Sequence, residues 1–67
     1  MSNVTLLRLP EVLRRVGASR SWLYAAIAAG SFPAPVRLGA NAVAWREDEV
    51  TAWIETRPRA GRMTMRS

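Results

Sequence analysis

Arginine supplies most of the recognition chemistry that this sequence offers. The 67 residues contain ten arginines and five acidic residues, for a net charge of +5, and they contain no lysine, histidine or cysteine. The guanidinium fork matches the geometry of phosphate and of the guanine edge, so we expect an anionic partner. The chain lacks the thiol and imidazole groups of many nucleophiles, bases and zinc sites. We therefore predict a protein that is not an enzyme and that holds no metal or cofactor.

The side chains best suited to contact nucleic acid fall into two segments, a predicted helix start and a predicted β-hairpin. The candidate DNA-binding residues are Ser19, Arg20, Ser21 and Tyr24 in the helix, and Arg37, Asn41 and Arg46 in the hairpin. Arg20 is the first candidate for a base contact, because arginine can bond guanine through two hydrogen bonds. The alternative for Arg20 is a solvated arginine, and Ser21 contacts either a phosphate or solvent.

The other candidates also have two interpretations each. Ser19 can cap the helix as well as contact DNA, and Tyr24 can reach a phosphate or pack on the hairpin. Arg37 and Arg46 suit phosphates or the minor groove, where arginine is favoured electrostatically. Arg46 can instead pair with a neighbouring acid, and Asn41 can serve only as a turn residue.

The first two predicted helices are close together in the sequence. Pro10 suits the first position of a helix over residues 10–16, and Gly17 ends it in a left-handed conformation. Ser19 then caps a second helix over residues 19–29. Two short helices joined by a tight turn are typical of a helix-turn-helix.

A β-hairpin follows a stiff connection that contains two prolines. Residues 36–38 and 43–45 form its strands, with a loop over residues 39–42. Alternation directs Arg37 to solvent. The same alternation predicts four core-facing residues: Val36, Leu38, Val43 and Trp45.

The third predicted helix begins with three consecutive acids and ends near Arg57. Glu47, Asp48 and Glu49 stabilise the positive end of the helix dipole. Consecutive helical positions diverge by about 100°, so these carboxylates do not converge on a metal ion. The apolar residues of the three helices recur at helical spacing. The predicted buried faces are Val12, Leu13 and Val16; Leu23, Ala26 and Ile27; and Val50, Trp53 and Ile54.

Together these elements predict a mainly α fold with a small β-hairpin, a winged helix-turn-helix of three short helices plus a wing. We assign residues 6–56 to a DNA-binding domain and residues 57–67 to a basic, disordered tail. Residues 1–56 carry six arginines and five acids, whereas the tail carries four arginines and no acid. The tail can therefore add affinity, and we expect sequence preference to come from the domain.

Several linked motifs in this order resemble the AlpA-type phage regulators, which are similar to excisionases and to the DNA-binding domain of MerR-type regulators. The runs that carry the resemblance are 7–12 (LRLPEV), 17–21 (GASRS), 32–36 (FPAPV), 45–50 (WREDEV) and 52–54 (AWI). The resemblance covers about residues 6–56, and it implies DNA binding. The sequence departs from the family at Ala25, where members often carry a basic or polar residue.

We predict a sequence-specific double-stranded DNA-binding protein, either a small transcriptional regulator or an excision directionality factor of a phage or mobile element. Helix 19–29 would read the major groove, and wing 36–46 would contact the backbone or minor groove. We expect self-association on DNA, a possible integrase or recombinase partner, no membrane partner, and a cytoplasmic, nucleoid-associated location. The alternative function is a protein-interaction module that docks on a recombinase or on the transcription machinery.

Overall fold

The computed structural model describes residues 4–58, which form three helices and a small antiparallel sheet. The helices are α1 (Leu9–Val16), α2 (Arg20–Ala28) and α3 (Glu47–Glu55). The strands are β1 (Leu6–Leu7), β2 (Val36–Gly39) and β3 (Ala42–Arg46), in the sheet order β1-β3-β2. Most of the predicted tail, residues 59–67, lies outside the described residues.

The predicted α1, α2 and the tight turn between them are confirmed, and each helix end lies within one residue of its predicted position. Pro10 occupies the first turn of α1. Gly17 ends α1 with φ 74°, and its N–H donates to the carbonyl of Leu13 at 2.8 Å. The Ser19 hydroxyl oxygen accepts a hydrogen bond from the N–H of Trp22 at 3.2 Å and so caps α2. Hydrogen bonds and backbone conformations of residues close in sequence therefore determine where α1 ends and α2 begins.

A third strand joins the predicted hairpin. Leu6 and Leu7 of β1 pair with Arg46 and Trp45 of β3. The N–H of Glu47 donates to the carbonyl of Thr5 at 2.8 Å just beyond this pairing. β3 consequently lies at the centre of the sheet and is paired on both edges.

The prediction that Val36 and Leu38 share a face with Val43 and Trp45 is wrong. Gly39 pairs with Ala42, but Arg37 pairs with Val43 and Val36 pairs with Ala44. Opposed residues in an antiparallel pair project from the same face, so Val36 faces away from Trp45. Leu38 is 48% exposed.

A β-bulge between Arg37 and Gly39 causes this difference. If the pairing of Gly39 with Ala42 continued without a shift, Leu38 would pair with Val43 and Val36 with Trp45, as the prediction requires. The bulge shifts the pairing by one residue further along β2, and a shift of one residue reverses the face of every side chain. Arg37 is exposed as predicted, although its pairing with Val43 puts it on the core side of the sheet at the edge.

The core gathers residues from all three helices, from β1 and β3, and from the connection before β2. Its buried members are Leu7, Val12, Leu23, Ala26, Phe32, Trp45 and Val50. Trp45 is fully buried, and its indole N–H donates to the carbonyl of Pro33 at 3.1 Å. Of the predicted helix faces, Ile54 is the exception, because it is 38% exposed. It lies about 100° around α3 from Trp53, on the edge of the apolar face.

Replacing Gly17 with alanine should lower the free energy of unfolding by about 1–2 kcal/mol, because an alanine must then adopt a left-handed conformation. An added methyl group would meet no atom within 4 Å, so the cost comes from the backbone alone. Urea unfolding monitored by tryptophan fluorescence measures this change.

Gly39→Ala is the matched control, since its added methyl group also meets no atom within 4 Å and its φ lies outside the left-handed range. This variant should be as stable as the parent chain or slightly more stable. Equal destabilisation by the two substitutions would contradict the explanation.

Candidate nucleic-acid interface

The outer face of α2 carries small side chains along its centre. Leu23 and Ala26 are buried in the core. At about 100° per residue, the opposite side of the helix falls on three exposed positions. These are Ser21, Ala25 and Ala28. Tyr24 flanks them on one side and Trp22 on the other, and both rings are exposed. A partner surface can therefore approach the backbone of α2 closely between two aromatic side chains.

The start of α2 combines hydrogen-bonding side chains with the positive end of the helix dipole. Ser19, Arg20 and Ser21 are all exposed, and Tyr24 follows one turn later. The first turn of α2 contains no acid, whereas α1 has Glu11 there and α3 has three acids. The dipole of α2 is therefore not compensated by a neighbouring carboxylate, which favours an anion at this end.

The arginines within residues 4–58 differ in whether a carboxylate already binds them. Those in ion pairs are Arg14, Arg15 and Arg46. Those that form neither an ion pair nor a side-chain hydrogen bond within this range are Arg8, Arg20 and Arg37. Arg8 precedes α1 and is exposed, and sequence reasoning did not select it, because no pattern marks an arginine at that position as a contact.

Glu11 and Arg15 join α1 to the start of α3. The Arg15 guanidinium lies 2.8 Å from Glu11 and 2.9 Å from Glu47, and Arg14 also donates to Glu11. The hydrogen bond from Arg15 is the main cause that lowers the pKa of Glu11, and the same bond raises the pKa of Arg15. These charges are engaged with one another, so they contribute little field to an outside partner.

Arg46 pairs with a neighbouring acid, Asp48, which was the alternative to a DNA contact. Its Nε and a terminal nitrogen donate to the two carboxylate oxygens of Asp48 at 3.1 and 2.9 Å, and Glu49 lies 3.9 Å away. The hydrogen bonds with Asp48 raise the pKa of Arg46 and are the main cause that lowers the pKa of Asp48. A phosphate would have to compete with this carboxylate for Arg46.

The hairpin candidates do not lie together along the strands. Asn41 is exposed in the two-residue turn between β2 and β3, and Arg37 pairs with Val43 close to that turn. Arg46 is three residues further along β3 than Val43, which is about 10 Å at the rise of a strand. Arg37 and Asn41 therefore form the end of the hairpin, and Arg46 lies at the junction with α3.

The family model for the prophage CP4-57 regulatory protein (AlpA) matches residues 5–58, which include every helix and strand described above. The chain belongs to the AlpA family. AlpA proteins are phage regulatory proteins, and the resemblance seen in the sequence motifs is thus confirmed.

One relative of this AlpA-family chain comes from a phage. The uncharacterized protein ORF88 of Enterobacteria phage P4 is 51% identical over 51 residues. The aligned stretch is 76% of this chain and 58% of that protein, so the chain spans less than two thirds of its relative. No solved structure matches the chain.

Two further observations concern membrane-spanning helices and metal-binding groups. In the part of the chain that the structure describes, no helix is long and apolar enough to cross a membrane. Among the same residues, no group of three or more histidine, cysteine or acidic side chains could hold a metal ion.

Glu11→Gln should reduce the loss of stability that the fold undergoes as the pH falls. The folded-state pKa of Glu11 is lowered from its ordinary value of 4.5, so its stabilising effect is present above that value. The effect is lost as the pH falls through the lowered pKa. Thermal unfolding followed from pH 7 to pH 2 should therefore give a shallower decline in Tm for this variant, with the difference confined to pH below about 5.

Glu55→Gln is the control for the loss of one negative charge, since Glu55 forms no ion pair within residues 4–58. Its decline in Tm should follow that of the parent chain. If both variants make the decline of Tm with falling pH equally shallow, the ion pairs of Glu11 do not cause the acid sensitivity of the parent chain.

Proposed function

We propose that the chain is a sequence-specific double-stranded DNA-binding regulator with a winged helix-turn-helix architecture. It acts either on transcription or on the excision of a phage or mobile element. The observation that carries this proposal is the start of α2. There Arg20, which forms no ion pair within residues 4–58, and a first turn without acids adjoin a face of small side chains. The family of phage regulatory proteins supports the regulatory role.

In this proposal α2 enters the major groove of DNA. Ser21 and Ala25 face the base edges, and their small size lets the backbone of α2 come close. Arg20 bonds a guanine through its guanidinium fork, which no carboxylate within residues 4–58 occupies. The first amide groups of α2 and the hydroxyl groups of Ser19 and Tyr24 bind phosphates on either side. The Ser19 oxygen already accepts the capping bond, and its O–H remains available to donate.

The β2–β3 hairpin acts as the wing. Arg37 and Asn41 lie at its exposed end, where they contact the backbone or enter the minor groove. Arg46 contributes a phosphate contact only after it exchanges Asp48 for the phosphate, so we rank it below Arg37. One recognition helix covers few base pairs, which favours binding of several copies at repeated sites.

Replacing Arg20 with alanine should weaken specific binding about 5- to 150-fold, the range expected for one bidentate contact with a base. Gel-shift titrations on the DNA upstream of the protein's own gene, with scrambled DNA of equal length as competitor, measure this effect. Binding to the scrambled DNA should fall much less, since a base contact carries the specificity.

Arg14→Ala is the matched control, because Arg14 is an exposed arginine that Glu11 already binds. It should change specific binding less than twofold by this reasoning, since no DNA contact is lost. An absence of any preference for the upstream DNA in the parent chain would contradict the DNA-binding proposal. An unchanged preference in the Arg20 variant would contradict only the role of Arg20.

Asp48→Asn should strengthen DNA binding if Arg46 contacts a phosphate. The substitution removes the carboxylate that holds Arg46, and the asparagine oxygen can still accept the hydrogen bond from the N–H of Glu49. The plot of log affinity against log salt should also become steeper by about 0.9, the value for one added phosphate contact.

The control for this change is Glu55→Gln, which removes one negative charge from the same helix without releasing an arginine. Similar gains in affinity for the two variants would show a general charge effect and exclude a specific release of Arg46. Fluorescence anisotropy at four or more salt concentrations distinguishes the two results.

A further inference from the structure

A shallow hollow lies beside the start of α2, on the side away from Tyr24. It has a volume of about 410 Å³. Its lining residues come from the end of α1, the turn, α2 and α3: Val16, Gly17, Ala18, Ser19, Trp22 and Trp53. The DNA-binding proposal uses Ser19 from this group and none of the other lining residues. The hollow is therefore a second surface that the proposed function leaves without a role.

The aromatic wall of the hollow is held in place by several contacts. The Trp53 ring packs edge-on against Phe32, with centroids 4.9 Å apart, and against Trp22 at 6.1 Å. Its indole N–H donates to the carbonyl of Ser31 at 2.6 Å. Phe32 is buried, whereas Trp22 remains 46% exposed. A ring that is already fixed loses little conformational freedom when a partner covers it, which favours binding.

The hollow offers apolar surface and few free polar groups. The Trp53 indole N–H is engaged with Ser31, and the Ser19 oxygen accepts the capping bond. The remaining lining is aliphatic or aromatic carbon, backbone, and the indole N–H of Trp22, which forms no hydrogen bond within residues 4–58. Such a surface suits an aromatic or large aliphatic side chain better than a sugar, a nucleotide or an ion.

One positive charge is fixed on the wall of the hollow. The Arg57 guanidinium lies over the Trp53 ring, 4.4 Å from its centroid. Its Nε donates to the carbonyl of Trp53 at 3.3 Å, and it forms no ion pair within residues 4–58. Glu55 is about 200° around α3 from Trp53, so it faces the other way. Glu49 lies one turn before Trp53 on the same side of α3, and Arg46 is 3.9 Å from its carboxylate.

We propose that this hollow binds a partner protein through a short acidic segment with one aromatic or large aliphatic side chain. The apolar side chain enters the hollow and packs against the Trp22 and Trp53 rings, and a carboxylate of the segment pairs with Arg57. Aromatic anchors in preformed pockets and complementary charge at their rim are the usual basis of such contacts. The contact gives a phage regulator a means to engage a second protein, and it does not depend on DNA binding.

Other occupants fit the observations less well. A second copy of this chain would have to supply a free acid, but four of the five acidic residues are in ion pairs within residues 4–58. The fifth, Glu55, is followed by Thr56 and Arg57, so it does not belong to an acidic segment. Duplex DNA keeps its bases stacked and so presents no ring to enter the hollow. An unpaired base of single-stranded DNA is the remaining competitor, and the test below includes it.

The test uses the full chain and follows its indole N–H signals by two-dimensional ¹H–¹⁵N NMR. The three tryptophans give three signals, and fully buried Trp45 acts as an internal control. The probe is the synthetic peptide acetyl-Glu-Asp-Phe-Asp-Glu-amide. We expect saturable shifts at Trp22 and Trp53 with little change at Trp45. The same peptide with serine in place of phenylalanine should give no saturable shift.

Two variants assign the binding to the hollow. Trp22→Ala should weaken peptide binding by about fivefold or more, as expected for an anchor residue. Arg57→Gln should weaken it by about two- to fivefold, the range for an exposed ion pair. Leu38→Ala removes a similarly exposed apolar side chain that does not line the hollow, and this variant should bind the peptide like the parent chain. An unchanged Trp45 signal verifies that each variant is folded.

Three results would overturn the proposal. The first is a shift that stays linear with peptide concentration, and the second is equal binding of the phenylalanine and serine peptides. The third is a saturable shift of Trp22 and Trp53 by an oligothymidylate strand at lower concentration than the peptide requires, which would identify the hollow as a base-binding surface. Gel shifts of the Trp22 variant on duplex DNA separate this question from the proposed function, because either activity can fail while the other persists.

Discussion

The burial of Trp45 at the centre of the sheet is the interaction on which the remaining structure depends. β3 is the middle strand, and Trp45 pairs across it with Leu7 of β1. Among residues 4–58 it is the largest fully buried side chain, and its indole N–H donates to the carbonyl of Pro33. One side chain thereby fixes the first strand, the proline-containing connection and the hairpin relative to one another. A small domain has a thin core, so a single large aromatic residue carries much of its packing.

Sequence reasoning succeeded where the controlling interactions are short in sequence. Pro10, Gly17 and Ser19 act within one helical turn of their own positions, so α1 and α2 were predicted almost to the residue. The β2 register depends instead on a bulge that pairing across the hairpin reveals, and Leu38 was therefore assigned to the wrong face. No local pattern distinguishes a strand with a bulge from one without it.

In the candidate site, too, local features could be predicted from the sequence and contacts of the folded chain could not. Its residue types could be read from the sequence, but the partners of its arginines could not, because an ion pair is a property of the folded surface. Arg46 and Arg20 look alike in the sequence, yet Asp48 binds one of them and no carboxylate within residues 4–58 binds the other. The acids that compensate α1 and α3 also neutralise the arginines beside them. The start of α2 consequently combines a first turn without acids and an arginine that no carboxylate within residues 4–58 binds, which net charge alone does not predict.

The two surfaces proposed here meet at Ser19 and otherwise lie on different sides of α2. Trp22 follows Ser21 by about 100° around the helix, so the side of α2 that faces DNA is not the side that lines the hollow. Trp22 leans toward Trp53 of α3, whereas Ser21 and Ala25 point outward. A partner segment in the hollow would therefore lie beside the DNA and leave the groove open to α2. A folded domain of this size is too small to enclose a separate deep pocket. Different faces of one helix can instead serve for DNA recognition and for contact with a partner protein.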